Sequence, residues 1–289
     1  MPRLAYVDGQ FVPLATAAVS VEDRGLQFAD SVYEVVAVLN GQLFDWDGHA
    51  ARLMRNLDTL AIAMPVSAAA LAQVARRLVA ANRATEALLY LQITRGTARR
   101  DHGFPAQARP TLVMTVRPFD IRQRVCQQAH GVAVVTVADE RWGRCDLKTT
   151  GLLANVLAKQ AARAAGSFEA WLVGADGTVA EGASTNAWIV AGDGALVTPP
   201  LTHRILPGVM RAAVIKSADA IGIRVDERSF TIDEARGAAE ALITSTTVPV
   251  LPVIRLDGAI IGHGVPGPVA AQLAGAIWAR IAAQTSFRP

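Results

Sequence analysis

The chain has 289 residues, 52% hydrophobic and 18% charged, which is ample for sizeable cores and a length expected of about two domains. The formal charge is +3, with Arg and Asp/Glu interspersed, and this excludes the basic footprint of a nucleic-acid-binding protein. Mean hydropathy is +0.29, yet no apolar run approaches the roughly 20 residues of a membrane helix, and the start MPRLAYVDGQ has no signal-peptide core; the expectation is a soluble cytoplasmic protein with no membrane partner.

In chain order, Leu4–Val7 and Gln10–Val12 flank Asp8-Gly9, a hairpin signal, and Val35–Leu39 and Gln42–Phe44 flank Asn40-Gly41, a second one. Asp47 is placed to cap a helix over Gly48–Ala61, whose Leu53, Leu57 and Leu60 share a face. Ser67 precedes a helix over Ala68–Ala81, and strands are expected at Leu88–Thr94 and Thr111–Arg117. Pro118–Gln128 reads as the domain boundary. Beyond it come a strand at Gly131–Asp139, an irregular stretch to Thr150 and a helix over Leu152–Ala165. Strands at Glu169–Val173, Val179–Glu181 and Asn186–Val190 follow, with Asp176-Gly177 as a turn. A helix over Gly208–Ile221, strands at Gly222–Asp226 and Ala241–Thr244, and a last helix over Pro266–Ala283 complete the pattern. The expected fold is α+β in two domains, residues 1–120 and 121–289, with a cleft between them as the default site.

Only three of the 28 basic residues are lysines. Lys159 and Lys216 lie within expected helices and read as solvated charges; Lys148 lies in a loop between a strand and a helix, where reactive side chains are displayed. A loop lysine is either an exposed charge or an amine able to form a Schiff base. Glu181 opens a tight turn, Glu-Gly-Ala-Ser-Thr-Asn, between two strands. Thr244–Thr247 at a strand end and Leu206–Arg211 at a helix start are each able to cradle an anion through hydroxyls and free N–H groups. Arg100 and His102, two residues apart in a cation-rich loop, suit a carboxylate. The two cysteines, Cys126 and Cys145, have neither metal-ligand nor disulfide-framework spacing.

These segments together resemble the fold-type IV pyridoxal phosphate enzymes, and among them the D-amino acid aminotransferases. The resemblance runs nearly end to end: Glu22–Phe28, Val32–Val36, His49 with Arg52-Leu53, Gln92–Thr97, Arg100-Asp101-His102, Arg141-Trp142 with Arg144–Lys148, Leu157–Gln160, Glu181-Gly182 with Asn186, and Thr244–Thr247. It implies a two-domain architecture with the cofactor, pyridoxal 5'-phosphate, in the interdomain cleft, and a catalytic Lys148 that holds it as a Schiff base. It further implies that Glu181 pairs with the pyridine nitrogen, that Arg52, the backbone at Val209 and Met210, Ser245 and Thr246 hold the phosphate, and that Tyr33, Arg100 and His102 trap the substrate carboxylate. The Arg100–His102 loop would come from the neighbouring subunit of a homodimer. Met210 and Ala183 depart from the family pattern by lacking a hydroxyl at positions where threonine and serine are common. The implied activity is ping-pong transfer of an amino group from a D-alanine-like donor to a 2-oxo acid such as 2-oxoglutarate. An (R)-selective amine or branched-chain transaminase, an aminodeoxychorismate lyase, and a cofactor-binding protein without turnover are the competing readings; the Arg100/His102 pair argues against the lyase.

Overall fold

The computed structural model describes residues 3–288. The chain separates into two units: the first holds residues up to Asp120, Leu147–Gly151 and Gln284–Phe287, and the second holds Ile121–Asp146 and Leu152–Ala283. The Lys148 segment, which the sequence reading kept with the second domain, therefore groups with the first. The reason is hydrogen bonding, given below.

The first unit contains β1 (Leu4–Val7), β2 (Gln10–Pro13), α1 (Arg24–Phe28), β3 (Ser31–Leu39), β4 (Gln42–Leu43), α2 (Trp46–Thr59), α3 (Ala68–Ala81), β5 (Glu86–Thr94) and β6 (Thr111–Pro118). Its antiparallel sheet runs β2-β1-β6-β5-β3-β4. The β1–β2 and β3–β4 hairpins close through Asp8-Gly9 and Asn40-Gly41, each with positive φ at both central residues, as a tight two-residue turn requires. Ser67 caps α3 by accepting from the Ala70 N–H. Asp45, not Asp47, takes the cap position of α2, and Asp47 lies in the first turn, where its charge favours the helix dipole. Alternation along β3 sends Val32, Val36 and Val38 into a core with Leu53 and Leu57 of α2 and Leu71, Leu78 and Val79 of α3.

The second unit contains α4 (Ile121–His130), β7 (Val132–Ala138), α5 (Leu153–Ala164), β8 (Glu169–Val173), β9 (Val179–Gly182), β10 (Asn186–Val190), β11 (Leu196–Thr198), α6 (Val209–Ala220), β12 (Val225–Glu227), α7 (Ile232–Arg236), β13 (Glu240–Ser245), β14 (Val248–Leu256), β15 (Ala259–Ile260) and all but the last two residues of α8 (Pro268–Thr285). Its mixed sheet runs β12-β11-β10-β13-β14-β7-β8-β9, with β15 on β14. The expected linker Pro118–Gln128 is largely helix α4. Its periodicity is weak because it is anchored by polar contacts, with Gln128 bridging the Val250 carbonyl and the Trp278 indole. Strand β14 escapes the sequence pattern because Pro249 and Pro252 interrupt it, and the ladder absorbs irregularity through register shifts on both flanks.

Lys159 is not a solvated charge. It donates to the Phe168 carbonyl at 2.5 Å and pairs at 3.3 Å with Glu169, whose side chain is wholly buried. Ser184 satisfies the other Glu169 oxygen at 2.5 Å. Lys216 is exposed, as its helix position suggests. Lys159→Ala is expected to lower stability in denaturant unfolding by about 1–3 kcal/mol, less than for a fully buried pair because Lys159 keeps some solvent contact. Lys216→Ala is expected to stay within about 0.5 kcal/mol of the parent in the same measurement.

Candidate active site

The site residues fall into three clusters. In the first, β3 divides two kinds of chemistry between its faces. Tyr33 points away from α2 and lies 5.7 Å from the Tyr90 ring of β5. The segment around Lys148 joins the same strand: the Tyr33 N–H donates to the Lys148 carbonyl at 3.0 Å, Val32 bridges Thr149, and Ser31 and Thr150 share a hydroxyl hydrogen bond of 2.5 Å. Leu147 is buried and fixes the near end. The Lys148 Nζ is thereby held 4.2 Å over the Tyr33 ring, within cation–π range. Burial, with Tyr33 alongside, pushes Tyr90 up to about 12, so its hydroxyl stays protonated and donates to Gln92.

On the opposite face of β3, Glu34 receives Arg52 Nε at 2.7 Å and Nη2 at 2.7 Å, and His49 Nδ1 at 2.8 Å. A carboxylate only accepts, so the His49 proton sits on Nδ1. His49 and Arg52 lie three residues apart on α2 and so reach the same strand residue. Burial opposes ionisation of Glu34, but the Arg52 charge and its hydrogen bonds, with His49, outweigh it and bring the carboxyl down to about 2. Burial holds His49 below the usual histidine range despite its bond to Glu34, and the Arg52 and Lys148 charges push the same way.

The second cluster is the cation-rich loop. Arg100 sits 5.0 Å from the centre of the Phe28 ring and the His102 ring 5.3 Å from it, so one aromatic side chain brings the two together. Buried Arg24 holds the loop backbone through the carbonyls of Asp101, at 2.6 Å, and His102, at 3.4 Å. Asp30 anchors Arg24 at 2.8 Å and Arg95 at 2.7 Å. Its carboxyl is held below the usual range because these two arginines outweigh its burial.

The third cluster, in the second unit, centres on Asn186 at the start of β10. Its Nδ2 donates to Glu181 Oε2 at 3.1 Å and to the Leu206 carbonyl at 3.0 Å. Glu181 also accepts from Arg141 Nη1 at 2.5 Å and from the Leu206 N–H at 3.1 and 3.2 Å. Gly208, which caps α6, lies so close that a Cβ would stand 2.1 Å from Asn186 Oδ1. Asn186 also faces Thr244 in the β10–β13 register, which brings the start of α6, with Val209 and Met210, into the neighbourhood of Ser245 and Thr246. The first N–H groups of α6 have no intrahelical acceptor and carry the positive end of the dipole. Met210 is buried and supplies no hydroxyl, while Ser245 and Thr247 hydroxyls lie 3.2 Å apart. Arg24, Glu34, His49, Arg141 and Asn186 carry no chemical signal of their own in the sequence; each lies within a motif of the family resemblance.

The amino-transferase class IV family model matches residues 31–256 of this chain, and the chain belongs to that family of enzymes. Within it, the D-alanine aminotransferase of Bacillus licheniformis is 40% identical over 279 residues, covering 96% of this chain and 97% of the relative. The D-alanine aminotransferase of Staphylococcus aureus (strain MSSA476) is 38% identical over 269 residues, covering 93% of this chain and 94% of its own. Among solved structures, a T.th. branched-chain amino acid aminotransferase with pyridoxamine 5'-phosphate superposes with a TM-score of 0.89 at 26% identity, over 100% of this chain and 96% of the other.

The Glu34 cluster makes stability pH-dependent. Both pKa values are lowered on folding, so the unfolded chain binds more protons and stability falls as pH falls. The His49 contribution begins to be lost below its unfolded value near 6.5, and that of Glu34 between about 4.5 and about 2. Glu34→Gln is expected to cost about 3–5 kcal/mol at pH 7, because the buried Arg52 charge loses its carboxylate. Urea midpoints measured from pH 7 to 2.5 are expected to converge with the parent's as the pH passes below about 4.5.

Proposed function

We propose that this aminotransferase is a D-amino acid transaminase that works with pyridoxal 5'-phosphate, moving the amino group of a D-alanine-like donor to a 2-oxo acid such as 2-oxoglutarate. The observation that carries the reading is the lysine at 148, held by the backbone of β3 with its Nζ over Tyr33. The relatives named D-alanine aminotransferase support the donor class. The residues present fit the cofactor: an amine on a fixed backbone for its aldehyde, a carboxylate with an oriented set of donors for its ring nitrogen, and a glycine-tight helix start for its phosphate. Pyridoxal phosphate, when bound, supplies an aldehyde that takes up the amino group and a ring that draws electrons from the α-carbon.

The chain's own residues do the rest. Lys148 would hold the cofactor through its Nζ and, as a free amine, would serve as the acid–base group that moves the substrate α-proton. Glu181 pairs with the protonated ring nitrogen; its bonds from Arg141, Asn186 and the Leu206 N–H favour the carboxylate form. The N–H groups of Val209 and Met210, with Ser245 and Thr246, hold the phosphate, helped by an Arg52 guanidinium oriented by Glu34. Tyr33, Arg100 and His102 bind the α-carboxylate, which discriminates amino acids from simple amines.

The working protein in this reading is a homodimer in which the Arg100–His102 loop serves the neighbouring copy. Leu153, Val156 and Leu157 form an apolar stripe on α5 at 73%, 60% and 58% exposure, a surface that suits a second copy. Two cysteine thiols outside any disulfide fit a reducing cytoplasm, and among the described residues no helix is long and apolar enough to cross a membrane.

Mixing the yellow holoprotein with D-alanine is expected to convert its absorbance to that of the aminated cofactor, and 2-oxoglutarate to restore it. L-leucine and (R)-1-phenylethylamine are expected to do so far more slowly. Preference for L-leucine would replace the D-amino acid reading with the branched-chain one. Lys148→Ala is expected to lose more than about 10²-fold of turnover, while Lys216→Ala keeps it; undiminished turnover in Lys148→Ala would overturn the mechanism.

A further inference from the structure

Arg141 sits between two carboxylates. Its Nη1 donates to Glu181 Oε1, while Nε and Nη2 grip Asp139 at 2.9 and 2.8 Å. Nη2 also reaches the Arg204 carbonyl at 2.9 Å, two residues before the Leu206 N–H that donates to Glu181. The three side chains are nearly inaccessible, at 6% for Arg141, 7% for Glu181 and 13% for Asp139. All three guanidinium nitrogens therefore have acceptors, and one residue fixes both Glu181 and the loop that helps hold it.

We propose that Arg141 is a positioning residue that sets the orientation and basicity of Glu181 through its bond to Oε1, with Asp139 as its counterweight. The inference rests on the reading above that Glu181 faces the cofactor's ring nitrogen. A guanidinium against one carboxylate oxygen makes that carboxylate a weaker base. The proton shared between Glu181 and the ring nitrogen then stays on the ring, where it favours electron withdrawal. Asp139 offsets the added positive charge, so the three groups together present one net negative charge.

The surrounding ionisable groups keep that balance. Arg141 and Asp139 line a cleft of about 390 Å³ with Cys145, Asp176, His203 and Arg204. Burial pushes the Cys145 thiol up to about 11, so it stays neutral. Asp176 and Arg204 pair with each other at 2.8 Å. The Asp139 carboxyl lies below the usual range, burial being outweighed by its bonds from Arg141.

The test is to load wild type, Arg141→Gln, Arg141→Lys and Asp139→Asn with cofactor labelled with ¹⁵N in the ring, and to record the ring-nitrogen shift against pH together with kcat and KM. In Arg141→Gln the shift is expected to move toward the unprotonated value at neutral pH, and kcat to fall about 10–100-fold with KM for the amino acid little changed, as for residues that orient a ligating group. Arg141→Lys should recover most of kcat. Asp139→Asn makes the cluster one charge more positive, so the shared proton should leave at lower pH than in wild type. An Arg141→Gln protein with the wild-type shift and kcat overturns the proposal, as does a Lys variant no better than the Gln variant. If Arg141→Gln does not fold in thermal melts, an Asp139→Asn titration that coincides with wild type overturns it instead. A wild type that neither binds the cofactor nor reacts with any amine strikes the underlying reading of Glu181, a result separable from all of these.

Discussion

One hydrogen bond organises the first unit around its chemistry: the Tyr33 N–H to the Lys148 carbonyl, at 3.0 Å. A lysine on an irregular loop has many rotamers and a mobile backbone, and either would blur the position of its amine. Here the loop is stitched to β3 over three consecutive residues, through Ser31, Val32 and Tyr33. The strand is itself paired along its full length with β5. The lysine thus borrows the rigidity of a sheet without belonging to one of its strands. The period of two along β3 then separates tasks. Tyr33 shares the lysine's face, and Glu34 turns to the other, where Arg52 and His49 of α2 meet it.

Three buried carboxylates of this chain are matched with a cation. Glu34 has Arg52, Glu169 has Lys159, and Glu181 has Arg141. Taking such charges out of water costs more than the pairing returns in many proteins, so these pairs are weak evidence for stability. Their common property here is geometric. Each fixes a side chain or a turn close to residues assigned to the cofactor. The Asn186 cluster extends the same logic with neutral donors, joining Glu181, the Leu206 loop and the start of α6 through one amide.

Much of the secondary structure was legible because its signals are local. Asp8-Gly9 and Asn40-Gly41 specify their turns by backbone preference, and Ser67 marks the start of α3 by its own hydroxyl. Elements held by distant contacts were not legible. Helix α4 depends on Gln128 reaching Val250 and Trp278, α1 on a buried Arg24, and β14 on neighbours that tolerate its two prolines. The partners of α4, the β7 strand that pairs with β14, and the Asp101 and His102 carbonyls that Arg24 reaches lie far from these segments in sequence.

The candidate site divides in the same way. Residue type and order determined which side chains could carry the chemistry: a rare lysine in a loop, a carboxylate in a tight turn, and an arginine and a histidine two apart. Composition also determined that the positive excess is small and dispersed. Tertiary structure alone decided that Lys148 is bonded to β3, that Arg52 meets Glu34 across a helix–strand contact, and that Lys159 is a buried-pair partner rather than a surface charge. It also decided that Arg141 lies between Asp139 and Glu181, the latter 40 residues further along the chain. The physical reason is that a side chain's charge and reach are fixed by its covalent structure, whereas its partners are fixed by which backbone segments pair and pack, and those lie far apart in sequence.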